Sequence, residues 1–185
     1  LVVNVDDLIK KFEEKVKEVL KSRGIEDSSL IKKITRSCIR YEMVKLDKDK
    51  DLVFDFDEAL NIEGNSAVYL MYTYARIMSI LRKLNFYIEV KDFDTDLNEY
   101  EKNLAKKLLE FDIVLNSVIK SFEISKLANY IFKLSQTFNL FYENCRIIDE
   151  KDEEKKKLRL NLLLATKKVL DFAFEVLGID RVDKI

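Results

Sequence analysis

Two tyrosines and an arginine lie at a spacing that suits the binding of a nucleic-acid base. In a helix, Tyr69, Tyr72 and Arg76 would occupy offsets 0, +3 and +7 and would share one face. An unstacked base can stack on flat phenol rings, and a guanidinium can donate hydrogen bonds to the base edge or to a phosphate. Aromatic stripes on helices are more often half-buried core residues with their hydroxyl groups at the rim, so the pattern leaves both interpretations open.

The residues before Tyr69 contain signals for a helix start. Asn65 and Ser66 are residue types that cap helix N-termini, and Gly64 allows a sharp turn into the helix. We therefore expect this helix to run from about Asn65 to Leu84.

The composition of the chain excludes several kinds of active site. The chain has no histidine, so no histidine can act as a general base, activate a nucleophile or bind a metal. Its two cysteines, Cys38 and Cys145, lack metal-ligand spacing and are expected to be small buried residues in a reducing compartment. Because a glycine-rich phosphate loop is also missing, the residues offer no catalytic constellation, and enzyme activity of this chain alone is left open.

One acidic segment is similar to a calcium-binding loop. Its carboxylates occupy positions 1, 3, 5, 9 and 12 of an EF-hand: Asp47, Asp49, Asp51, Asp55 and Glu58. Position 6 of such a loop needs glycine for its sharp turn, and Leu52 stands there. The alternation of residues 52–56 favours a short strand or an extended connector, so we expect no metal site.

Length and charge narrow the class of protein further. The 185 residues suffice for one domain or for a domain with an appended piece, and no apolar run approaches 18 residues, so we expect no membrane span. No signal peptide is visible at the start. Charged residues make up 36% of the chain but the net charge is −1, which argues against a protein that holds long nucleic acid by bulk electrostatics.

Backbone composition and periodicity predict a helical protein. There is no proline, and only three glycines interrupt a chain rich in helix-forming residues. An apolar stripe from Leu8 to Leu20 predicts a first helix ending near Gly24, and a second is expected to begin at Asp27. Further helices are predicted over residues 96–111, 112–122, 125–145 and 153–177. Residues 85–95 are predicted to form a loop.

Several short motifs follow one another along the chain. The first are Phe54-Asp55-Phe56-Asp57-Glu58-Ala59-Leu60, Glu63-Gly64-Asn65, Tyr69-Leu70-x-Tyr72 and Tyr74-Ala75-Arg76-Ile77. The later ones are Leu127-Ala128-Asn129-Tyr130, Leu134-Ser135-Gln136-x-Phe138-Asn139-x-Phe141-Tyr142, Leu158-Arg159-Leu160, Ala165-Thr166, Val169-Leu170 and Leu177-Gly178-Ile179. In order and spacing these motifs resemble the anticodon-binding domain of arginyl-tRNA synthetases, and the resemblance covers essentially the whole chain.

The resemblance implies an all-α fold, a helical bundle preceded by a short helical connector with at most one short strand. Residues 1–60 would be the end of the catalytic region and the connector, and residues 61–185 the anticodon-binding domain. ATP and Mg²⁺ would serve the full-length enzyme, and no cofactor is expected in this fragment. The expected partners are an arginine tRNA and the missing catalytic domain, and we expect a cytoplasmic monomer without membrane contact.

The resemblance also implies where the tRNA binds. Every arginine anticodon has C in the middle, and the family holds this base with two tyrosines, an arginine one turn further on, and the C-terminal end. Here Tyr69 or Tyr72 would stack on the cytosine, Arg76 would donate hydrogen bonds, and Ile185 would form the C-terminal wall. Arginine cannot accept a hydrogen bond, so the acceptor for the cytosine amino group is not identified.

The same resemblance implies weaker roles for three further residues. Tyr142 is a candidate for stacking another base of the loop. Gly64 and Asn65 would shape the loop that precedes the tyrosine helix.

The chain departs from the family pattern at several positions. Val68 replaces a common proline before the first pocket tyrosine, and Ile185 replaces a terminal methionine. The motif that names the domain superfamily appears as Lys156-Lys157-Leu158-Arg159, in which only the last two residues are retained. We expect Leu158 and Arg159 to be structural rather than RNA-contacting.

A second function remains open from the sequence. The chain could be an inert helical module, derived from a synthetase, that binds proteins. The retained Tyr69, Tyr72 and Arg76 favour tRNA recognition, and the near-zero net charge favours the protein-binding alternative.

Overall fold

The computed structural model describes residues 4–84 and 94–184 of the chain. Within these residues there are eight α helices and no strand. Their bounds are α1 Val5–Ser22, α2 Ser28–Val44, α3 Phe56–Ala59, α4 Ala67–Lys83, α5 Glu99–Leu109, α6 Phe111–Ser121, α7 Ser125–Asn144 and α8 Glu153–Leu177. The predicted all-α fold is confirmed.

The predicted helices agree closely with those observed, and the differences occur at helix ends. Gly24 follows α1 with a positive φ of 74°, as a residue that terminates a helix often does. Residues 51–55 have no regular structure, so the extended connector, not the strand, precedes α3. Most of the predicted loop 85–95 lies outside the described residues.

Side-chain caps explain most of the helix starts. Each capping oxygen accepts a hydrogen bond from a backbone N–H in the first turn, which would otherwise have no partner. The capping residues are Asn4, Asp27, Asp55, Ser66, Asn98 and Asp152. Asn98 and Glu101 form a full capping box at α5.

Helix α7 lies at the centre of the bundle and packs against α2, α4, α5, α6 and α8. Phe138 and Phe141 of α7 are fully buried and pack in one core with Tyr41 of α2 and Leu70 of α4. The same core includes Phe12 of α1, which belongs to the predicted connector, residues 1–60. The division near residue 60 into connector and domain remains a prediction.

The cysteines and the acidic segment have ordinary structural partners. Cys38 and Cys145 are both free thiols and both buried. Asp47 accepts a hydrogen bond from Ser125 Oγ at 2.9 Å, and Glu58 pairs with Lys45 at 3.3 Å. In residues 4–84 and 94–184, no three cysteine, aspartate or glutamate side chains come together as metal ligands would. No helix within these ranges is long and apolar enough to cross a membrane.

A buried ion pair joins α5, α8 and the loop between α7 and α8. Arg159 of α8 donates from Nε to Glu101 Oε1 at 2.7 Å and from Nη1 to the carbonyl oxygen of Arg146 at 2.7 Å. Glu101 is completely buried, and its second oxygen accepts from the N–H of Asn98 at 2.8 Å. A buried carboxylate is tolerated when its charge and lone pairs are matched in this way.

The pair makes the stability of the fold sensitive to acid. Burial alone would raise the pKa of the Glu101 carboxyl, but the hydrogen bonds from Arg159 and Asn98 and the charges of Arg159 and Lys155 outweigh it and lower that pKa. The unfolded chain then binds more protons than the folded one as the pH falls below the ordinary glutamate value of 4.5. Stability from this group is present above that pH and is lost as the pH falls through the folded pKa.

We predict that Glu101→Gln lowers the free energy of unfolding by about 2 kcal/mol at pH 7, because a charged hydrogen bond is lost inside the protein. The variant should also lose less stability than the unmodified chain between pH 5 and pH 3, as measured by urea unfolding. Equal pH dependence of the two proteins would contradict the assignment to Glu101. A buried pair is weakly screened, so the difference should persist in high salt.

Candidate nucleic-acid interface

A cleft of about 500 Å³ opens between α4, the end of α7 and the segment that follows α8. Residues on one face of α4 line its floor because they are three or four positions apart. The polar and aromatic side chains at this cleft are Tyr72, Arg76, Ser79 and Arg82 from α4, Tyr142 from α7, and Asp183 and Lys184 from the segment after α8. The structure thus brings together three of the residues predicted from the sequence, namely Tyr72, Arg76 and Tyr142.

Arg76 lies between two aromatic rings. Its guanidinium carbon is 5.0 Å from the ring centroid of Tyr72 and 4.7 Å from that of Tyr142. Arg76 Nη2 also donates to the Tyr72 hydroxyl at 3.2 Å. Tyr72 and Tyr142 remain 42% and 38% exposed, so part of each ring is available to a ligand. These contacts fix the guanidinium at the cleft while leaving aromatic surface open.

Asn139 of α7 binds the Arg76 guanidinium and orients it. Its Oδ1 accepts from Arg76 Nη1 at 2.8 Å, and its Nδ2 donates to the hydroxyls of Tyr69 and Thr73, each at 3.0 Å. Because arginine can only donate, the amide oxygen must face Arg76 and the amide nitrogen must face the two hydroxyls. One nearly buried side chain therefore orients three residues of α4.

Tyr69 lies behind the cleft and does not line it. Its ring packs edge-on against Phe132 of α7, with centroids 5.4 Å apart, and its hydroxyl contacts Asn139. Tyr69 supports the floor of the cleft, whereas Tyr72 presents its ring to the cleft.

Gly64 and Asn65 lie in the turn before α4, away from the cleft. Asn65 Oδ1 accepts from the Tyr41 hydroxyl at 2.7 Å, and its carbonyl oxygen accepts from Lys45 at 3.0 Å. Ser66, not Asn65, caps α4. These contacts fix the start of α4 relative to α2, which in turn positions the face that carries Arg76.

The segment after α8 forms the remaining wall. Arg82 Nη1 donates to the carbonyl oxygen of Asp183 at 3.1 Å, which holds Asp183 and Lys184 beside α4. Ile185, which was predicted to form the C-terminal wall, lies outside the described residues.

Comparison with known families agrees with this geometry. The family model described as the DALR anticodon binding domain matches residues 70–185, the part of the chain that contains every residue lining the cleft. The chain belongs to the DALR anticodon-binding domain family.

Relatives of this DALR domain extend the match to the whole chain. It is 34% identical over 188 residues to an arginine–tRNA ligase of Wigglesworthia glossinidia brevipalpis, covering 99% of this chain and 33% of that protein. An arginine–tRNA ligase of Methanocaldococcus jannaschii is 35% identical over 182 residues, covering 96% of this chain and 32% of that protein. The chain therefore spans about a third of the length of these relatives.

Solved structures show the same architecture. The arginyl-tRNA synthetase of Plasmodium falciparum matches all of this chain and 34% of its own, with a TM-score of 0.85 and 32% identity. The arginyl-tRNA synthetase of Thermus thermophilus also matches all of this chain and 32% of its own, with a TM-score of 0.85 and 27% identity. The resemblance inferred from the motifs is thus confirmed.

The retained Leu158–Arg159 pair lies inside this DALR domain. Leu158 is 1% exposed and Arg159 is 8% exposed, and the donors of Arg159 are directed to Glu101, Glu150 and the carbonyl oxygen of Arg146. This placement agrees with the structural role expected for the pair.

Asn139, which orients Arg76 at the cleft, is a residue that the sequence reasoning did not select. A signal was present, because an amide that stands between Phe138 and Phe141 in an apolar helix stripe must find buried partners. Which partners it finds depends on the packing of α7 on α4, and helix periodicity does not specify that packing.

We predict that Asn139→Ala lowers the free energy of unfolding by about 1–3 kcal/mol, because the Arg76 guanidinium and the Tyr69 hydroxyl lose a buried partner. Urea unfolding would measure the change. Asn144→Ala is the matched control, since Asn144 is exposed and its amide donates to the Leu140 carbonyl oxygen of its own helix. Equal losses in the two variants would contradict the role of Asn139.

Proposed function

We propose that this chain recognises the anticodon loop of an arginine tRNA and captures the central cytosine in the cleft beside Arg76. What carries the proposal is the position of the Arg76 guanidinium, oriented by Asn139 and held between the partly exposed rings of Tyr72 and Tyr142. A flipped-out base needs a ring to stack on and oriented donors at its edge, and this cleft has both.

The donor pattern favours cytosine over uracil. Cytosine presents two adjacent acceptors, O2 and N3, on its pairing edge, whereas N3 of uracil carries a hydrogen and is a donor. Arg76 has only donors, and the Tyr72 hydroxyl already accepts from Arg76, so its own proton is free to be donated. The donors of Arg76 and Tyr72 would meet the N3–H of uracil and leave a donor unpaired, which costs free energy.

We assign the stacking role to Tyr72 rather than to Tyr69. Tyr72 lines the cleft and is 42% exposed, whereas the Tyr69 ring packs on Phe132. Tyr142 supplies the opposite aromatic wall. In this proposal Gly64 and Asn65 act indirectly, through the position of α4.

We further propose that the chain acts as part of a longer arginine–tRNA ligase, in which ATP and Mg²⁺ serve the portion that this chain does not match. Its matched relatives are about three times its length and carry that name. We propose that it functions as a monomer beside that catalytic portion.

We predict that Tyr72→Ala weakens binding of an arginine anticodon stem-loop by roughly ten- to a hundredfold, because stacking on one base is lost. Fluorescence anisotropy with a labelled stem-loop at fixed salt would measure the dissociation constant. Tyr100→Ala is the matched control, since Tyr100 is similarly exposed at 38% but lies on α5, away from the cleft. Unchanged affinity for Tyr72→Ala, with the fold intact, would remove Tyr72 from the site.

The cytosine preference has its own test. The unmodified chain should bind the stem-loop with a central C more tightly than the same loop with a central U, and Arg76→Ala should abolish this difference. Arg23→Ala removes an equal charge at the end of α1 and should leave the preference intact. Equal binding of both loops by the unmodified chain would indicate attraction to the RNA backbone alone. Binding of neither loop, even when the domain is part of a full-length ligase, would favour the protein-binding alternative.

A further inference from the structure

The C-terminal segment, residues 178–184, has no helix or strand of its own. Its position must therefore come from side chains of other elements, because isolated extended backbone has no internal hydrogen bonds. Two of its apolar side chains, Ile179 and Val182, are buried in the core. The segment turns out of α8 at Gly178, which has a φ of 68°, and the Ile179 N–H donates to the Phe174 carbonyl oxygen.

Helix α2 makes several polar contacts with this segment, and α8 makes others through Asp171, which pairs with Arg181 at 3.1 Å. Arg36 donates from Nε to Asp180 Oδ2 at 2.9 Å and from Nη2 to Asp180 Oδ1 at 2.7 Å. The Asp180 N–H donates to the Ser37 hydroxyl at 2.9 Å, and Arg40 Nη1 donates to the Gly178 carbonyl oxygen at 2.9 Å. Three residues of one helix thus bind Gly178 and Asp180 of the segment.

The geometry of these contacts is more specific than that of an ordinary surface ion pair. A single exposed pair contributes little to stability, but a two-point arginine–carboxylate contact fixes both distance and orientation. Ser37 is fully buried, so the hydroxyl oxygen that accepts from the Asp180 N–H is shielded from solvent. Asp180 lies between the two buried side chains Ile179 and Val182 and only three residues before Asp183, which lines the cleft.

We propose that the contact of Asp180 with Arg36 and Ser37 positions the C-terminal segment as a wall of the cleft and thereby sets how strongly the cleft prefers cytosine to uracil. This inference rests on the proposed function and assigns it positioning residues on α2, a helix that contributes no side chain to the cleft. Asp180 and Arg36 act through Asp183 and Lys184, and neither is placed against the base.

A positioning role and general attraction to RNA predict different effects for the two variants of this contact. Arg36→Ala makes the chain more negative, and Asp180→Ala makes it less negative, so their effects on overall attraction to RNA should be opposite in sign. Loops with a central C and a central U carry the same charge, so this effect cancels in the dissociation constant of the U loop divided by that of the C loop. If the contact positions the wall, both variants lower that ratio.

The experiment measures the dissociation constants of both stem-loops for the unmodified chain, Arg36→Ala and Asp180→Ala. The control is Arg23→Ala, which changes the charge of the chain as Arg36→Ala does. We expect the preference for cytosine to fall roughly fivefold in the first two variants and to stay unchanged in the control. Because Arg36 is about half exposed, its variant should remain folded, and the unfolding midpoint would verify this.

Amide hydrogen exchange of residues 179–184 provides the second measurement. The N–H of Asp180 should exchange faster in Arg36→Ala and Asp180→Ala than in the control. A full cytosine preference in both variants, or unchanged exchange, would overturn the proposal. If the unmodified chain shows no preference, the proposed function fails instead, and the exchange rates still decide whether α2 positions the segment.

Discussion

The cleft depends on one buried amide, that of Asn139. A buried amide has a donor side and an acceptor side that must both be matched, and here α4 supplies the partners for both. The oxygen holds the Arg76 guanidinium, and the nitrogen holds the Tyr69 and Thr73 hydroxyls. Rotation or sliding of α4 against α7 would leave several of these groups unpaired at once, so the packing of the two helices and the direction of Arg76 are determined together.

A second buried polar contact joins α5 to α8 in a comparable way. Glu101 and Arg159 satisfy one another inside the protein, and Arg159 also binds the loop that connects α7 to α8. Both sites place polar groups where a helical bundle usually has apolar ones, and both give the bundle a defined register. The difference is that the Asn139 network reaches the surface at Tyr72 and Tyr142, whereas the Glu101–Arg159 pair stays enclosed.

The limits of sequence reasoning follow from the range of the interactions. Helix bounds were predictable because caps and periodicity act within a few residues, as at Asp27 and Ser66. The common face of Tyr72 and Arg76 was predictable for the same reason. The separation of Tyr69 from that face was not, because it depends on where Phe132 of another helix packs. Nor was the pairing of Arg36 with Asp180, which are 144 residues apart and become neighbours only in the finished fold.

The charge of the chain bears on how the proposed site would bind RNA. With a net charge of −1, the domain cannot rely on general attraction to phosphates. Its cations at the cleft are Arg76, Arg82 and Lys184, and carboxylates stand close to them, with Glu143 at 3.8 Å from Arg76. In the proposed function, binding free energy would come from stacking and from a few oriented donors, whose contribution falls steeply with displacement. A recognition site of the proposed kind would need rigid support behind each contacting residue. Asn139 makes such a contact with Arg76, and we propose that α2 supports the C-terminal segment through Arg36 and Asp180.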